Sequence, residues 1–155
     1  MKIITDKKIL RKKSQPISKD ADIKALVKQL KEANSETKNG CGVASIQIGI
    51  PLRVAWLEYD GKEIVLVNPK ILERSDDRSV VYEGCLSIPG LTVPVRRSNT
   101  IQIQVNEFNR EVIILSGFIA RVIQHEIDHF DGILIIDKKY HPNKKKKTKR
   151  KNKIK

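Results

Sequence analysis

The chain has 155 residues, 39% of them hydrophobic and 32% charged, which suits one soluble domain with a real core and excludes the fibrous and low-hydrophobicity classes. Its formal net charge of +13 is a local property: eleven of the 31 basic residues follow Asp137 with no acid among them, and the remaining 20 face 18 acidic residues. A body so close to neutral argues against a dedicated nucleic-acid-binding domain, and no apolar run approaches the roughly 18 residues of a membrane span.

The first residues are charged, include Asp6 and lack an apolar signal core, so a cytoplasmic protein is expected. Cys41 and Cys85 then read as free thiols or metal ligands instead of a disulfide. Pro16 and scattered charges make the opening segment an irregular lead-in. Asp20 is expected to cap a helix reaching about residue 33, where Ile23, Leu26, Val27 and Leu30 form an i, i+3, i+4, i+7 stripe.

A polar loop leads into GCGVASIQ, residues 40–47. It is no dinucleotide fingerprint, because Ser45 takes the sixth position and a helix, not a strand, precedes it. Nor is Ser45 a nucleophile in a G-x-S-x-G elbow, since Val43 and Gln47 stand where glycines belong. What is left is backbone with little side-chain cover, open to an extended ligand, followed by the amide of Gln47.

Residues 50–82 turn β-like. Strands at 53–59 and 63–67 flank Asp60-Gly61, a strong hairpin signal, and short strands are expected at 71–74 and 80–82. Trp56 is expected in the core. The stretch Glu83-Gly84-Cys85-Leu86-Ser87 follows, with Cys85 a candidate metal ligand. Residues 91–95, 100–105 and 111–115 complete the strands. Ser116 is expected to cap a second helix over 117–130, closed by Gly132, and apolar enough to be central. The elements add up to an α+β domain: small antiparallel sheets around a central metal-binding helix, one N-terminal helix, and a basic C-terminal tail without a core. The division expected is a catalytic body at 1–137 and a Lys-rich tail at 138–155.

The second helix carries His125-Glu126-Ile127-Asp128-His129. Residues four apart share a helix face, so His125 and His129 can offer two imidazoles to one metal ion. Glu126 stands beside them as general base toward a water that the metal activates. Asp128 points about 100° away from His129 around the helix and reads as a structural acid. Such a site needs a third ligand. No glutamate follows Glu126, and Ile135 occupies the place of the third histidine in the metzincin pattern. An upstream ligand is therefore needed, and Cys85 is the best-supported choice.

Taken in order, GCGVASIQ, EGCLS and HEIDH resemble the three motifs of the peptide deformylases, G-x-G-x-A-A-x-Q, E-G-C-L-S and H-E-x-D-H. The resemblance spans roughly residues 1–137. It implies removal of formate from N-formyl-methionyl peptides. On that likeness Cys85, His125 and His129 hold the metal, commonly Fe(II) and replaceable by zinc, nickel or cobalt. Glu126 is the acid–base group, and Gln47 with the Leu86 backbone N–H cradles the oxyanion. Backbone atoms of Cys41, Gly42 and Gly84 pair with the substrate as with an added strand. Glu83 is read as orienting the loop that carries Cys85.

Three departures stand out. Ser45 replaces an alanine, Thr92 falls where some members carry a peptide-contacting arginine, and a Lys-rich tail replaces a longer helix. That tail is expected to bring the protein to ribosomal RNA in a salt-dependent way. A monomer is expected. The competing readings are a zincin-type peptidase and an RNA-binding protein with a structural metal.

Overall fold

The computed structural model describes residues 2–38 and 40–142. The expected tail from residue 143 on lies outside the described residues.

Two helices sandwich one large sheet, and a long hairpin closes over the second helix. The strands are β1 (Gly42–Ala44), β2 (Val54–Tyr59), β3 (Lys62–Val67), β4 (Lys70–Arg74), β5 (Arg78–Cys85), β6 (Ile88–Ser98), β7 (Thr100–Asn106) and β8 (Glu111–Ser116). The large sheet runs β1-β2-β3-β7-β4, with β8 also paired to β7, while β5 and β6 form the separate hairpin. All pairings between these strands are antiparallel except one parallel bridge, Val67 to Asn106. Asp60 and Gly61 join β2 to β3 with φ of 51° and 69°. Positive φ at both central residues matches the right-handed twist of the flanking strands, as the Asp-Gly pair predicts.

Strand alternation divides the core. Val43, Val54, Trp56 and Val67 face helix α2 (Ile23–Ser35) and its Leu26, Leu30 and Ala33. Ala44, Ala55, Leu57 and Leu66 face the opposite way, onto Ile119, Ala120, Ile123 and Phe130 of helix α3 (Phe118–Phe130). A third cluster joins Val93 and Val95 of the hairpin to Leu134, Ile135 and Leu10. Helix α3 is thus central, with its remaining face turned toward the hairpin.

Several local expectations needed correction. The lead-in holds a short helix, α1 (Lys7–Leu10), capped by Asp6 at 2.8 Å from the Lys8 N–H, and its Leu10 is fully buried. Asp22, not Asp20, caps α2 by accepting from the Ala25 N–H at 2.9 Å. Gly117 replaces Ser116 as the residue before α3; its φ of 69° and ψ of −138° suit glycine, and no side chain caps that end. Beyond Asp137, Lys139 bridges Val95 and the Tyr140 N–H donates to Pro94 O at 2.6 Å, so the start of the Lys-rich segment still pairs with the body.

The end of α3 is fixed with particular care. The Gly132 N–H donates to His129 O at 3.1 Å and the Ile133 N–H to Asp128 O at 2.9 Å, a Schellman closure with Gly132 at φ 71°. A Cβ at Gly132 would lie 2.4 Å from Arg11 O. Gly132→Ala is therefore expected to destabilise the fold by at least about 2 kcal/mol in urea denaturation, since left-handed strain and a backbone clash coincide.

Candidate metal centre and active site

Helix α3 supplies three side chains on one stripe: Arg121, His125 and His129. The turn after β5 brings Cys85 to the same point. The Cys85 Sγ lies 3.4 Å from His129 Nε2, which lies 3.2 Å from His125 Nε2. All three donor atoms fall within 4.8 Å of one another. Ligands at 2.0–2.3 Å around a tetrahedral metal sit about 3.3–3.6 Å apart, so the residues fit a divalent ion.

Protonation agrees with that fit. The His125 Nδ1 lies 3.3 Å from Glu83 Oε2, and donating its proton there leaves Nε2 free as a ligand. Burial pushes His125 down, yet Cys85, Glu83 and Glu126 together outweigh it and raise the metal-free ring to about 10. Burial, the His125 cation and Arg97 push His129 well below the usual histidine range. The centre therefore attracts one positive charge while keeping the second imidazole neutral. A metal ion entering there displaces a proton.

Behind His125 stands an ion-pair network that sequence reasoning missed. Arg97 donates through Nε to Glu83 Oε1 at 2.6 Å, through Nη2 to Glu83 Oε2 at 2.9 Å, and through Nη1 to Asp128 Oδ2 at 2.8 Å. Arg121 adds bonds to Glu83 Oε1 at 2.8 Å and Val95 O at 3.1 Å. Glu83 so holds the His125 ring itself, beyond the role of orienting the Cys85 loop, and Asp128 is the structural acid expected. Both arginines carried a signal. Arg97 shares a strand face with the buried Val93 and Val95, and Arg121 lies one turn before His125.

Burial drives the Glu83 carboxyl up, but the His125 N–H and the two guanidiniums outweigh it and hold it at about 2. A depressed carboxylate adds stability that is full above its unfolded pKa of about 4.3 and is lost as pH falls through its folded value. The metal-free protein is accordingly expected to lose stability from about pH 4.3 toward about pH 2, and Glu83→Gln to show a flatter dependence there. Urea denaturation of both proteins across that range checks it.

Glu126 is buried beside the histidines, and its Oε2 has no hydrogen-bond partner among the described residues. Burial raises its carboxyl to about 7 despite the opposing pull of His125 and Arg97. A Cβ on Gly42 would come 3.0 Å from Glu126 Oε1, so the bare glycine lets the carboxylate approach β1. Gln47 sits in a 3-10 turn, Ser45–Ile48. Its Oε1 accepts the Ala44 N–H at 2.9 Å, so its amide NH₂ is the end that faces the centre, 3.2 Å from Ser87 Oγ and 3.8 Å from Cys85 Sγ.

These residues open onto a cavity of about 400 Å³ whose wall includes Gln47, Cys85, Leu86, His125 and Glu126. His129 lies beneath it, fully buried. Gly42 and Gly84 stand on the wall, as does Cys41. The Glu58 N–H donates to Cys41 O at 3.0 Å, which turns the N–H and C=O of Gly42, the next residue, away from β2. Cys41 therefore spends its carbonyl inside the sheet. Across the cavity, the Pro94 carbonyl points away from β5 to meet Tyr140, so Tyr82 and then Gly84 turn their polar groups to the free edge of β5. An apolar part of the wall is built by Ile88, Leu91, Phe118 and Val122, none of which the spacing of motifs singled out as site residues, while Tyr82, Glu83, Thr92 and Arg121 add polar groups to it.

A thiol and two imidazoles converging on one point, with a glutamate and an amide beside them in a cleft, define a metal-dependent hydrolase. The polypeptide deformylase family model matches residues 1–147. Peptide deformylase 1 of Clostridium perfringens is 44% identical over 137 residues, covering 85% of this chain and 92% of that one. Peptide deformylase of Dictyoglomus thermophilum is 39% identical over 133 residues, covering 84% and 86%. The crystal structure of peptide deformylase from Thermotoga maritima superposes with a TM-score of 0.82 at 34% identity, covering 90% of this chain and 97% of that one. The chain belongs to the peptide deformylase family.

Proposed function

We propose that this protein hydrolyses the formyl group from the N-formyl-methionine of newly made polypeptides, with Cys85, His125 and His129 holding the metal and Glu126 moving the proton. The observation that carries this reading is the convergence of the three donor atoms within 4.8 Å beside the buried Glu126. A divalent ion bound there supplies Lewis acidity toward the formyl oxygen and activates water as the nucleophile. Iron(II) is our choice on the family resemblance, and the mixed thiolate and imidazole donors also suit zinc, cobalt and nickel.

The chain's own groups divide the remaining work. Glu126, near 7, takes a proton from the attacking water and returns it to the amine as the C–N bond breaks. The Gln47 amide NH₂ and the Leu86 N–H donate to the oxygen on which negative charge develops, a contribution of about 2.7–4 kcal/mol for one such donor. Gly42 and Gly84 offer outward-facing backbone groups from two strand edges, between which an extended peptide pairs on both sides. The apolar wall receives a flexible, unbranched side chain such as that of methionine.

Residues 1–137 form the catalytic body in this reading, acting as a monomer in the cytoplasm, and the Lys-rich segment 138–155 draws it toward ribosomal RNA. Among the described residues no helix is long and apolar enough to cross a membrane. The test is formate release from a formyl-methionyl peptide by anaerobically purified protein. Formate is expected from the wild type and neither metal nor formate from Cys85→Ala. Cleavage of an internal peptide bond instead would overturn the assignment in favour of a peptidase.

A further inference from the structure

A second hollow, of about 120 Å³, lies behind α3 and shares no wall residue with the catalytic cavity. Its wall carries five cationic side chains: Arg74 from the end of β4, Arg78 from the start of β5, Arg96 and Arg97 from β6, and Lys138. Asp128 is the one acid on it, and Arg97 at 2.8 Å and Lys138 at 3.5 Å already engage that carboxylate. Arg97 is moreover committed to Glu83. Arg74, Arg78 and Arg96 make no ion pair with the described residues, so three exposed guanidiniums converge on a concavity with no counter-charge of their own. The β4–β5 turn does carry Asp76 and Asp77, but neither lines the hollow, and Asp77 accepts from the Asn99 side chain at 2.6 Å.

Three strand ends bringing unpaired arginines together carry a cost in repulsion that an anion relieves. Guanidinium groups match phosphate oxygens with two parallel hydrogen bonds, which lysine does not do. Only Ile127 on this wall is apolar and no aromatic ring is present, so nothing there enters a lipid layer or stacks on a base. Recognition is then of a phosphodiester backbone, independent of sequence. Lys138 on this wall is also the first residue of the basic segment, and ten further Lys or Arg and no acid follow it in sequence. A charge run that long attracts a polyanion in preference to a single small anion.

We infer that the Arg74–Arg78–Arg96 hollow is a docking site for the phosphate backbone of RNA, which leaves the catalytic cavity open while it is filled.

The test uses the full chain and a fluorescein-labelled RNA of twenty nucleotides, followed by anisotropy over a salt series. Replacing all three residues (Arg74→Gln, Arg78→Gln, Arg96→Gln) is expected to raise Kd at least tenfold at 100 mM KCl. The slope of log Kd against log salt should fall by about 2, since each lost phosphate contact removes about 0.7–0.9. Formate release from a short formyl-methionyl peptide should be unchanged. If the triple variant does not fold, the three single Arg→Gln variants should each weaken binding by about two- to threefold, and the triple Arg→Lys variant, which keeps the charge and loses the planar fork, should keep the salt slope but bind more weakly than the wild type. Unchanged Kd and slope would overturn the inference by assigning RNA binding to the Lys-rich segment alone. Displacement of the RNA by micromolar pyrophosphate would overturn it in favour of a small-anion site, and arginine-dependent binding of phosphatidylserine vesicles without RNA binding would assign the hollow to a membrane surface.

Discussion

Glu126→Gln is expected to lower kcat for formate release by about 10²–10⁴ while leaving metal content unchanged. The rate loss follows from removing the proton acceptor while keeping its size. The amide fills the same buried space and cannot take a proton from water. Metal content is preserved because Glu126 is not among the three converging donors. A second consequence separates this residue from a structural one. Glu126 is buried with an unpartnered oxygen, and burial has already driven its carboxyl up to about 7, so the native protein carries an electrostatic cost at this point. Glu126→Gln should fold at least as stably as the wild type at pH 8. A variant within tenfold of wild-type kcat would remove Glu126 from the chemistry.

The second large effect lies one layer back. Arg97→Ala is expected to cost about 3–5 kcal/mol of folding stability, the range for breaking one partner out of a buried charge network. Arg97 is 5% exposed and makes three hydrogen bonds to two carboxylates. Its loss leaves Glu83 with Arg121 and His125, and Asp128, among the described residues, with the half-exposed Lys138 at 3.5 Å. Because Glu83 fixes the His125 ring, metal affinity should fall as well, by about 10–100-fold. Arg97→Lys should not rescue either property, since an ammonium cannot span Glu83 and Asp128 as the planar guanidinium does. Urea denaturation and a competition titration with a chelator measure the two effects. A stability loss under about 1 kcal/mol would show that the network is not maintained in solution.

The reach of sequence reasoning differed between these two layers for a physical reason. His125 and His129 were legible because helical periodicity alone places them together, and Cys85 because no downstream glutamate or histidine stands in a third-ligand position while EGCLS resembles a family motif. Arg97 was not recognised because β6 contains Pro89, Gly90 and Pro94, which read as breakers. In the folded chain β6 still spans Ile88–Ser98: the pairing passes from Cys85–Ile88 to Gly84–Thr92 and leaves Pro89, Gly90 and Leu91 bulged out, and at Pro94 the missing N–H falls on the side facing away from β5, where the ladder does not need it. Once the strand runs from Ile88 to Ser98, an arginine on the face of Val93 and Val95 demands a buried acid.

Helix ends were legible by type but not by position. Asp20 and Asp22 are equally good caps in sequence, and which one is used depends on where Ile23 must dock. Ser116 looked like a cap but belongs to β8 and pairs with Thr100, leaving Gly117 to make the turn. The short α1 escaped notice because its burial rests on a single leucine whose partners, Val95, Leu134 and Ile135, are distant in sequence. The apolar wall of the catalytic cavity was hidden for the same reason: Ile88 and Leu91 come from the hairpin, Phe118 and Val122 from α3, and only tertiary packing brings them opposite one another.

X-ray absorption at the metal edge of the zinc-loaded protein tests the central claim most directly. The account predicts one sulfur at about 2.3 Å and two imidazole nitrogens at about 2.0–2.1 Å, with the sulfur signal gone in Cys85→Ala. A first coordination sphere of nitrogen and oxygen without sulfur would contradict it.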